Sequence, residues 1–171
     1  QNTERYLSER QSKNGLRWAV AASITWPSGQ HLENLALNLW GRGDKEKAGR
    51  ILLRLHRSGH PLTKWGYYEL VKYVGWEQHQ PAGAVQIARE ATLTFPSSPL
   101  MLFALGRAHL KNNEPQDAVT AFNEAWAATK RVETAKRLRS ATGWFRCSAL
   151  MAARDFAGAS AAAAEAAKEF P

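Results

Sequence analysis

The segment Thr94–Phe122, TFPSSPLMLFALGRAHLKNNEPQDAVTAF, decides the fold. Its apolar and small residues recur at helical spacing on both sides of the polar stretch NNEP. That spacing is typical of two amphipathic helices, and Pro115 is a favoured first residue for the second of them. Gly106 and Ala118 are small enough to let two helices approach closely, while Phe122 fills the space beside them. The segment therefore predicts a helix, a short turn and a second helix.

Prolines at similar positions mark a repeat of this layout along the chain. Pro27, Pro61 and Pro96 are 34 and 35 residues apart, and Pro171 follows after roughly two further periods. A single helix pair cannot bury its apolar stripe alone, so successive pairs stack into a solenoid with a shared core. We predict repeat units at residues 29–62, 63–97, 98–131 and 132–171, preceded by an N-terminal helix or partial repeat at residues 1–28.

The pattern resembles that of the tetratricopeptide repeat (TPR) family. The match rests on residues that agree with the family in order and spacing: Leu102, Leu105, Gly106, His109, Ala118, Phe122 and Ala125. His109 replaces an aromatic residue, and Lys130 replaces the closing proline. Lys72 stands where the family has a small residue, so we expect the first helix of that unit to rotate or shift. The resemblance implies an all-α fold, a right-handed α-α superhelix (TPR-like solenoid) of about four helix pairs plus an N-terminal helix.

The 171 residues suit one domain rather than two, and we predict a single domain. One cysteine, Cys147, excludes a disulfide within the chain, and we predict that it packs as a small buried residue. The sequence starts at Gln1 rather than Met and has no apolar run long enough to span a bilayer, so we expect a piece of a longer protein. It does not decide between cytoplasm and periplasm.

Sequence motifs of catalysis are missing from the chain. Phosphate-binding loops, zinc-protease helices and nucleophile elbows do not occur, so we predict no enzyme activity, no cofactor and no metal. His56 and His60 are four residues apart, a spacing that holds a metal on a continuous helix. Gly59 and Pro61 indicate that the helix ends between them. The other histidines are scattered and suggest no ligand set: His31, His79 and His109.

The resemblance implies that the first helix of each unit lines a concave groove for a partner protein. The positions that face away from the second helix are rich in aromatic residues: Glu33, Leu37, Trp40, Glu69, Tyr73, Trp76, Phe103, Arg107, Lys111, Trp144 and Ser148. Trp, Tyr and Arg dominate interface hot spots, but aromatic residues also bridge adjacent repeats in a core, and both readings stay open. One subset of the family clamps a C-terminal carboxylate with Lys and Asn. Here Glu33, Glu69 and Phe103 hold those positions, which argues against that clamp.

Two basic clusters contribute to the net charge of +8. The first contains Arg42, Lys45, Lys47, Arg50, Arg54 and Arg57; the second contains Lys130, Arg131, Lys136, Arg137 and Arg139. Solvated helix faces explain them most simply, and the alternative is contact with an acidic protein or an anionic membrane surface. We do not expect nucleic acid as a partner, because the aromatic residues are not interleaved with the basic runs.

These observations predict a non-catalytic scaffold or adaptor for protein–protein interaction. Analogy of fold suggests a bacterial envelope assembly, such as exopolysaccharide synthesis and export or pilus biogenesis. Three alternatives remain: a ligand- or peptide-sensing regulatory domain, a nucleic-acid-binding module, and an accessory domain of an enzyme whose catalytic part lies outside this chain.

Overall fold

A computed structural model describes residues 28–130 and 136–169, which form eight α-helices and one π-helix. The α-helices are α1 (Gly29–Gly41), α2 (Lys45–Arg57), α3 (Lys64–Lys72), α4 (Pro81–Thr94), α5 (Pro99–Lys111), α6 (Pro115–Thr129), α7 (Lys136–Ala152) and α8 (Phe156–Glu169). The π-helix (Tyr73–Glu77) directly follows α3. The all-α class and the four helix pairs are confirmed. The N-terminal helix or partial repeat predicted for 1–28 lies outside the described residues, apart from Ser28.

Local sequence signals set the helix boundaries. Four helices begin after a short polar residue whose side chain accepts a backbone N–H three residues later: Ser28, Asp44, Thr63 and Asp155. Three others begin with a proline: Pro81, Pro99 and Pro115. Proline lacks a backbone N–H, but at the first position of a helix that N–H would have no partner within the helix. Helix α2 ends at Arg57, and Gly59 adopts a left-handed φ of 76°, so the helix stops between His56 and His60 as predicted.

The described helices divide into two compact units, Gln1–Tyr73 and Val74–Pro171, where the sequence predicted one domain. In the first unit α3 packs against both α1 and α2. In the second unit α4 packs on α5, and each helix from α5 to α8 packs on the next. None of the helices within 28–130 and 136–169 is both long and apolar enough to cross a bilayer.

Tyr73 is the largest fully buried side chain of the first unit. Its ring lies on Gly49 of α2, where any Cβ would overlap it, and its hydroxyl donates a hydrogen bond of 3.2 Å to Glu46 Oε1. The π-helix begins at this residue, directly after Lys72. The backbone therefore departs from α-helical geometry next to the position at which the sequence departs from the repeat pattern. A shift at this point was expected from Lys72.

Three phenylalanines build the core of the second unit. Phe122 stacks on Phe145 at a centroid distance of 5.8 Å, and Phe103 meets their rings at 5.9 and 5.4 Å. Gly106 lies beneath Phe122, and an added Cβ would come within 2.7 Å of that ring. The packing roles predicted for Gly106 and Phe122 are therefore confirmed, and the core joins α5, α6 and α7.

Candidate functional site

Within the first unit, a cation and two aromatic rings lie together on the first helices of the repeats. The ammonium group of Lys72 lies 4.8 Å from the ring centroid of Trp40 and 5.1 Å from that of Tyr68. It also forms an ion pair of 2.6 Å with Glu69, whose side chain is 13% exposed. We call these four residues the Lys72 cluster. It brings together two predicted groove residues, Trp40 and Glu69, through a lysine that the groove prediction omitted.

Trp65 extends the Lys72 cluster along α3. Its ring is 58% exposed and meets Tyr68 edge to face at 5.9 Å. The sequence analysis did not include Trp65 in the groove. The signal was nevertheless present, because Trp65, Tyr68 and Lys72 are spaced three and four residues apart and so share one face of a helix.

The second unit carries a similar arrangement, which we call the Arg107 cluster. The guanidinium carbon of Arg107 lies 4.7 Å from the ring centroid of Trp76, 5.2 Å from Phe145 and 5.9 Å from Phe103. Arg107 and Trp76 are both half-buried, so the cluster is accessible at its edge. Lys111 lies one turn further along α5 and is exposed. Arg107 is thus in contact with two other predicted groove residues, Trp76 and Phe103.

Three predicted groove residues are buried and do not reach the surface. Glu33 is fully buried, and its Oε1 accepts hydrogen bonds from Thr63 N at 2.8 Å and Thr63 Oγ1 at 2.6 Å. Tyr73 fills the space above Gly49. Phe103 is 3% exposed and supports Arg107 from below. The burial of these three side chains favours packing or helix capping as their role over contact with a partner.

Trp144 and Ser148 lie one turn apart on α7. Trp144 is 65% exposed and lines a groove of about 370 Å³ between α7 and α8, whose walls include Gly143, Ala163 and Ala166. Ser148 donates a hydrogen bond of 3.1 Å to the backbone oxygen of Trp144. Cys147 also lines this groove and is half-buried rather than buried as predicted. Leu37, the remaining predicted residue, is half-buried on α1.

The first basic cluster is partly neutralised along α2. Lys47 pairs with Asp44 at 2.8 Å, and Arg50 pairs with Glu46 at 2.7 Å. Arg54, Arg57 and Arg42 are exposed, as is Lys45. Arg54 and Arg57 lie in the last turn of α2, where positive charge interacts favourably with the helix dipole. The net positive charge of this surface is therefore concentrated at the end of the helix.

Two residues of the second basic cluster, Lys130 and Arg139, pair with carboxylates of α8. Glu165 accepts hydrogen bonds from Arg146 at 2.6 Å, Trp126 Nε1 at 2.9 Å and Lys130 at 3.1 Å. These bonds, above all the one from Arg146, lower the pKa of Glu165 to about 2. Arg139 pairs with Glu169 at 3.0 Å. Lys136 and Arg137 are exposed, and Arg131 lies outside the described residues.

Comparison with known proteins finds similarity of structure rather than of sequence. No family model and no curated protein matches the chain. MamA (41-end) from Desulfovibrio magneticus RS-1 has a TM-score of 0.76 at 13% identity, covering 96% of this chain and 89% of that one. TTC0263, a TPR protein of Thermus thermophilus, has a TM-score of 0.66 at 17% identity, covering 98% and 87%.

A third similar structure is much longer than this chain. A chain of the APC/C hetero-tetramer Cut9-Hcn1 has a TM-score of 0.74 at 18% identity, with 94% of this chain covered. The protein spans only 30% of the length of that chain. Together with the helix pairs described above, these similarities show that the chain has the all-α fold of the tetratricopeptide repeat proteins.

Proposed function

We propose that the chain is a non-catalytic scaffold that binds a partner protein along the first helices of its repeats. The observation that carries the proposal is the pair of cation–aromatic clusters on these helices. The Lys72 cluster and the Arg107 cluster each combine a tryptophan with a cation at 4.7–4.8 Å. Trp, Tyr and Arg contribute most of the binding energy at protein interfaces.

The geometry of the clusters favours tight binding. A cation that lies over an aromatic ring is attracted by the ring quadrupole, and this holds its long side chain in one orientation before a partner arrives. Binding then loses less side-chain entropy than it would with a freely rotating lysine or arginine. Trp40 and Trp76 are half-buried, so each ring offers a firmly packed edge to a partner.

The test compares two double variants that each remove two large apolar side chains. Trp40→Ala with Trp76→Ala removes both ring platforms, whereas Leu93→Ala with Phe156→Ala removes large residues that are 83% and 62% exposed on the second helices of repeats. Each protein is immobilised and exposed to extract of the source cells, and bound proteins are quantified by mass spectrometry. A partner lost from the tryptophan variant and retained by the control supports the proposal. Equal capture by both, with circular dichroism showing both folded, would refute it.

We also propose that the scaffold serves a bacterial envelope assembly and that the end of α2 faces an acidic protein or an anionic membrane surface. The support is the analogy of fold and the exposed guanidinium groups of Arg54 and Arg57. Co-sedimentation with vesicles tests the membrane surface. Vesicles with anionic lipid should bind the protein, neutral vesicles should not, and Arg54→Glu with Arg57→Glu should abolish binding. No difference between the two vesicle types would leave the acidic protein as the partner of this surface.

A further inference from the structure

Three potential metal ligands converge at the turn between α5 and α6. One ligand atom from each of His109, Glu114 and Asp117 lies within 4.8 Å of the other two. His109 belongs to the last turn of α5, Glu114 is the N-cap of α6, and Asp117 lies in the first turn of α6. The sequence suggested no ligand set here, because only the folded turn brings these three side chains together.

The turn holds the ligands in place. Glu114 N donates to the backbone oxygen of His109 at 2.9 Å, and Asn113 adopts a left-handed φ of 60°. The imidazole of His109 is 4% exposed, so packing fixes its position, while Asp117 is exposed. The cluster therefore has a rigid inner ligand and an open outer side, through which an ion can enter and keep water as a further ligand.

The donor atoms suit a divalent transition-metal ion. The Glu114 carboxylate is oriented by two side chains of the turn, His109 Nδ1 at 2.6 Å and Asn112 Nδ2 at 2.7 Å. Asp117 forms no hydrogen bond or ion pair with any residue in the described ranges, although it lies beside the His109–Glu114 pair. Arg89 is close enough to lower the pKa of Glu114 and opposes cation binding, so we expect a moderate affinity.

We propose that His109, Glu114 and Asp117 form a binding site for a divalent transition-metal ion such as Zn²⁺. One imidazole and two carboxylates with an open fourth position match the ligand types that zinc accepts. The ion replaces the hydrogen bond between His109 and Glu114, whose proton passes to solvent, and links the end of α5 to the start of α6. Because the ion binds only the folded turn, it stabilises the native state increasingly as its concentration rises. The site is independent of the proposed partner surface.

Isothermal titration with ZnCl₂, on protein without a histidine tag, tests the site. We expect one saturable Zn²⁺ per chain and a rise in melting temperature that a chelator reverses. His109→Gln and Asp117→Asn should each weaken binding by about tenfold or more. Glu124→Gln is the matched control, because Glu124 is an exposed carboxylate of α6 outside the cluster. Mg²⁺ should have little effect, since it prefers oxygen ligands only.

The Asp117→Asn variant separates a metal site from a simple His109–Glu114 hydrogen bond. Asp117 takes no part in that bond, so its loss leaves the turn intact and should affect only the response to zinc. Saturable binding of unchanged affinity in either Asp117→Asn or His109→Gln, or no saturable binding in the unaltered protein, overturns the proposal. Far-UV circular dichroism confirms that each variant is folded.

Discussion

Gly106 has no side chain, and this allows Phe122 of α6 to pack closely on α5. We predict that Gly106→Ala lowers the free energy of unfolding by about 1–2 kcal/mol. The new Cβ would lie 2.7 Å from the ring of Phe122, and the cost of forcing that ring aside exceeds the gain in helix propensity. Phe122 also stacks on Phe145, so it has little room to move. Urea unfolding followed by circular dichroism measures the change.

Gly41 supplies the control for this prediction. It also lies in a helix, but an added Cβ would meet nothing within 4 Å. Gly41→Ala should therefore leave stability unchanged or raise it by up to about 1 kcal/mol. If both variants are destabilised alike, close packing over Gly106 does not explain its role.

For single residues, the sequence predicted the contacts between side chains of one repeat unit. It did not predict the contacts between side chains of two different repeat units. Gly106 and Phe122 belong to the same unit, and their spacing indicated their contact. Glu33 and Tyr73 were assigned to the groove because their helical positions face away from the second helix of their repeat unit. Their partners, Thr63 and Gly49, belong to other predicted units, and no periodicity within one helix reports them.

At the scale of helices, Thr63 joins α1 to the start of α3. Its hydroxyl accepts a hydrogen bond from Gly66 N at 3.2 Å and donates one to Glu33 Oε1 at 2.6 Å. We predict that Thr63→Ala lowers the free energy of unfolding by about 3 kcal/mol. The variant loses a helix cap and also removes a donor from a fully buried carboxylate. Chemical denaturation measures the loss.

Ser28→Ala separates the two contributions to that loss. Ser28 also caps a helix, α1, but it is exposed and contacts no buried carboxylate in the described part of the chain. Its replacement should cost about 1 kcal/mol or less. An equal effect of the two substitutions would show that the bond to Glu33 contributes nothing.

Glu165 ties α6, α7 and α8 together, and its contribution should depend on pH. We predict that Glu165→Gln lowers the free energy of unfolding by about 1 kcal/mol at neutral pH, a modest value because the carboxylate is 38% exposed and screened by solvent. The fold lowers its pKa from 4.5 to about 2. The stabilisation is therefore complete above pH 4.5 and is lost as the pH falls towards 2.

Urea unfolding of both proteins at several pH values measures this dependence. The difference between the unaltered protein and Glu165→Gln should narrow below pH 4.5 and close near pH 2. Glu124→Gln, on an exposed position of α6, should show no such change. A constant difference across the acid range would contradict the role of Arg146 in holding the carboxylate charged.

The same helices show which elements could be predicted from sequence. The start of α6 at Pro115 was predicted, since proline at a first helical turn is a signal that acts within a few residues. The π-helix after Lys72 was foreseen only as a shift. Tyr73, its first residue, packs on Gly49 of α2, a contact that local sequence does not encode.

For the whole molecule, the net charge of +8 overstates the positive surface. Few acidic residues lie near the second basic cluster in the sequence, so its positive charge looked almost uncompensated. The fold brings Glu165 and Glu169 of α8 to Lys130, Arg139 and Arg146. The end of α2 keeps exposed arginines at Arg54 and Arg57, and the aromatic clusters lie on other helices. Lys130, Arg139 and Arg146 lie within 6.0 Å of the Trp126 ring centroid, so on the folded protein these cations also contact an aromatic side chain.

We predict that the protein has no specific site for single-stranded nucleic acid, because the exposed Arg54 and Arg57 contact no aromatic ring in the described part of the chain. A fluorescent oligonucleotide of about 16 nucleotides should bind only at low ionic strength and be released near about 0.15 M salt. Arg54→Glu with Arg57→Glu should remove the low-salt binding, because it depends on phosphate contacts alone. Trp40→Ala with Trp76→Ala should not alter it, because no base stacks on those rings. Binding that persists at about 0.15 M salt and weakens in the tryptophan variant would instead identify the aromatic clusters as a stacking site, and would favour a nucleic-acid-binding module over a protein scaffold.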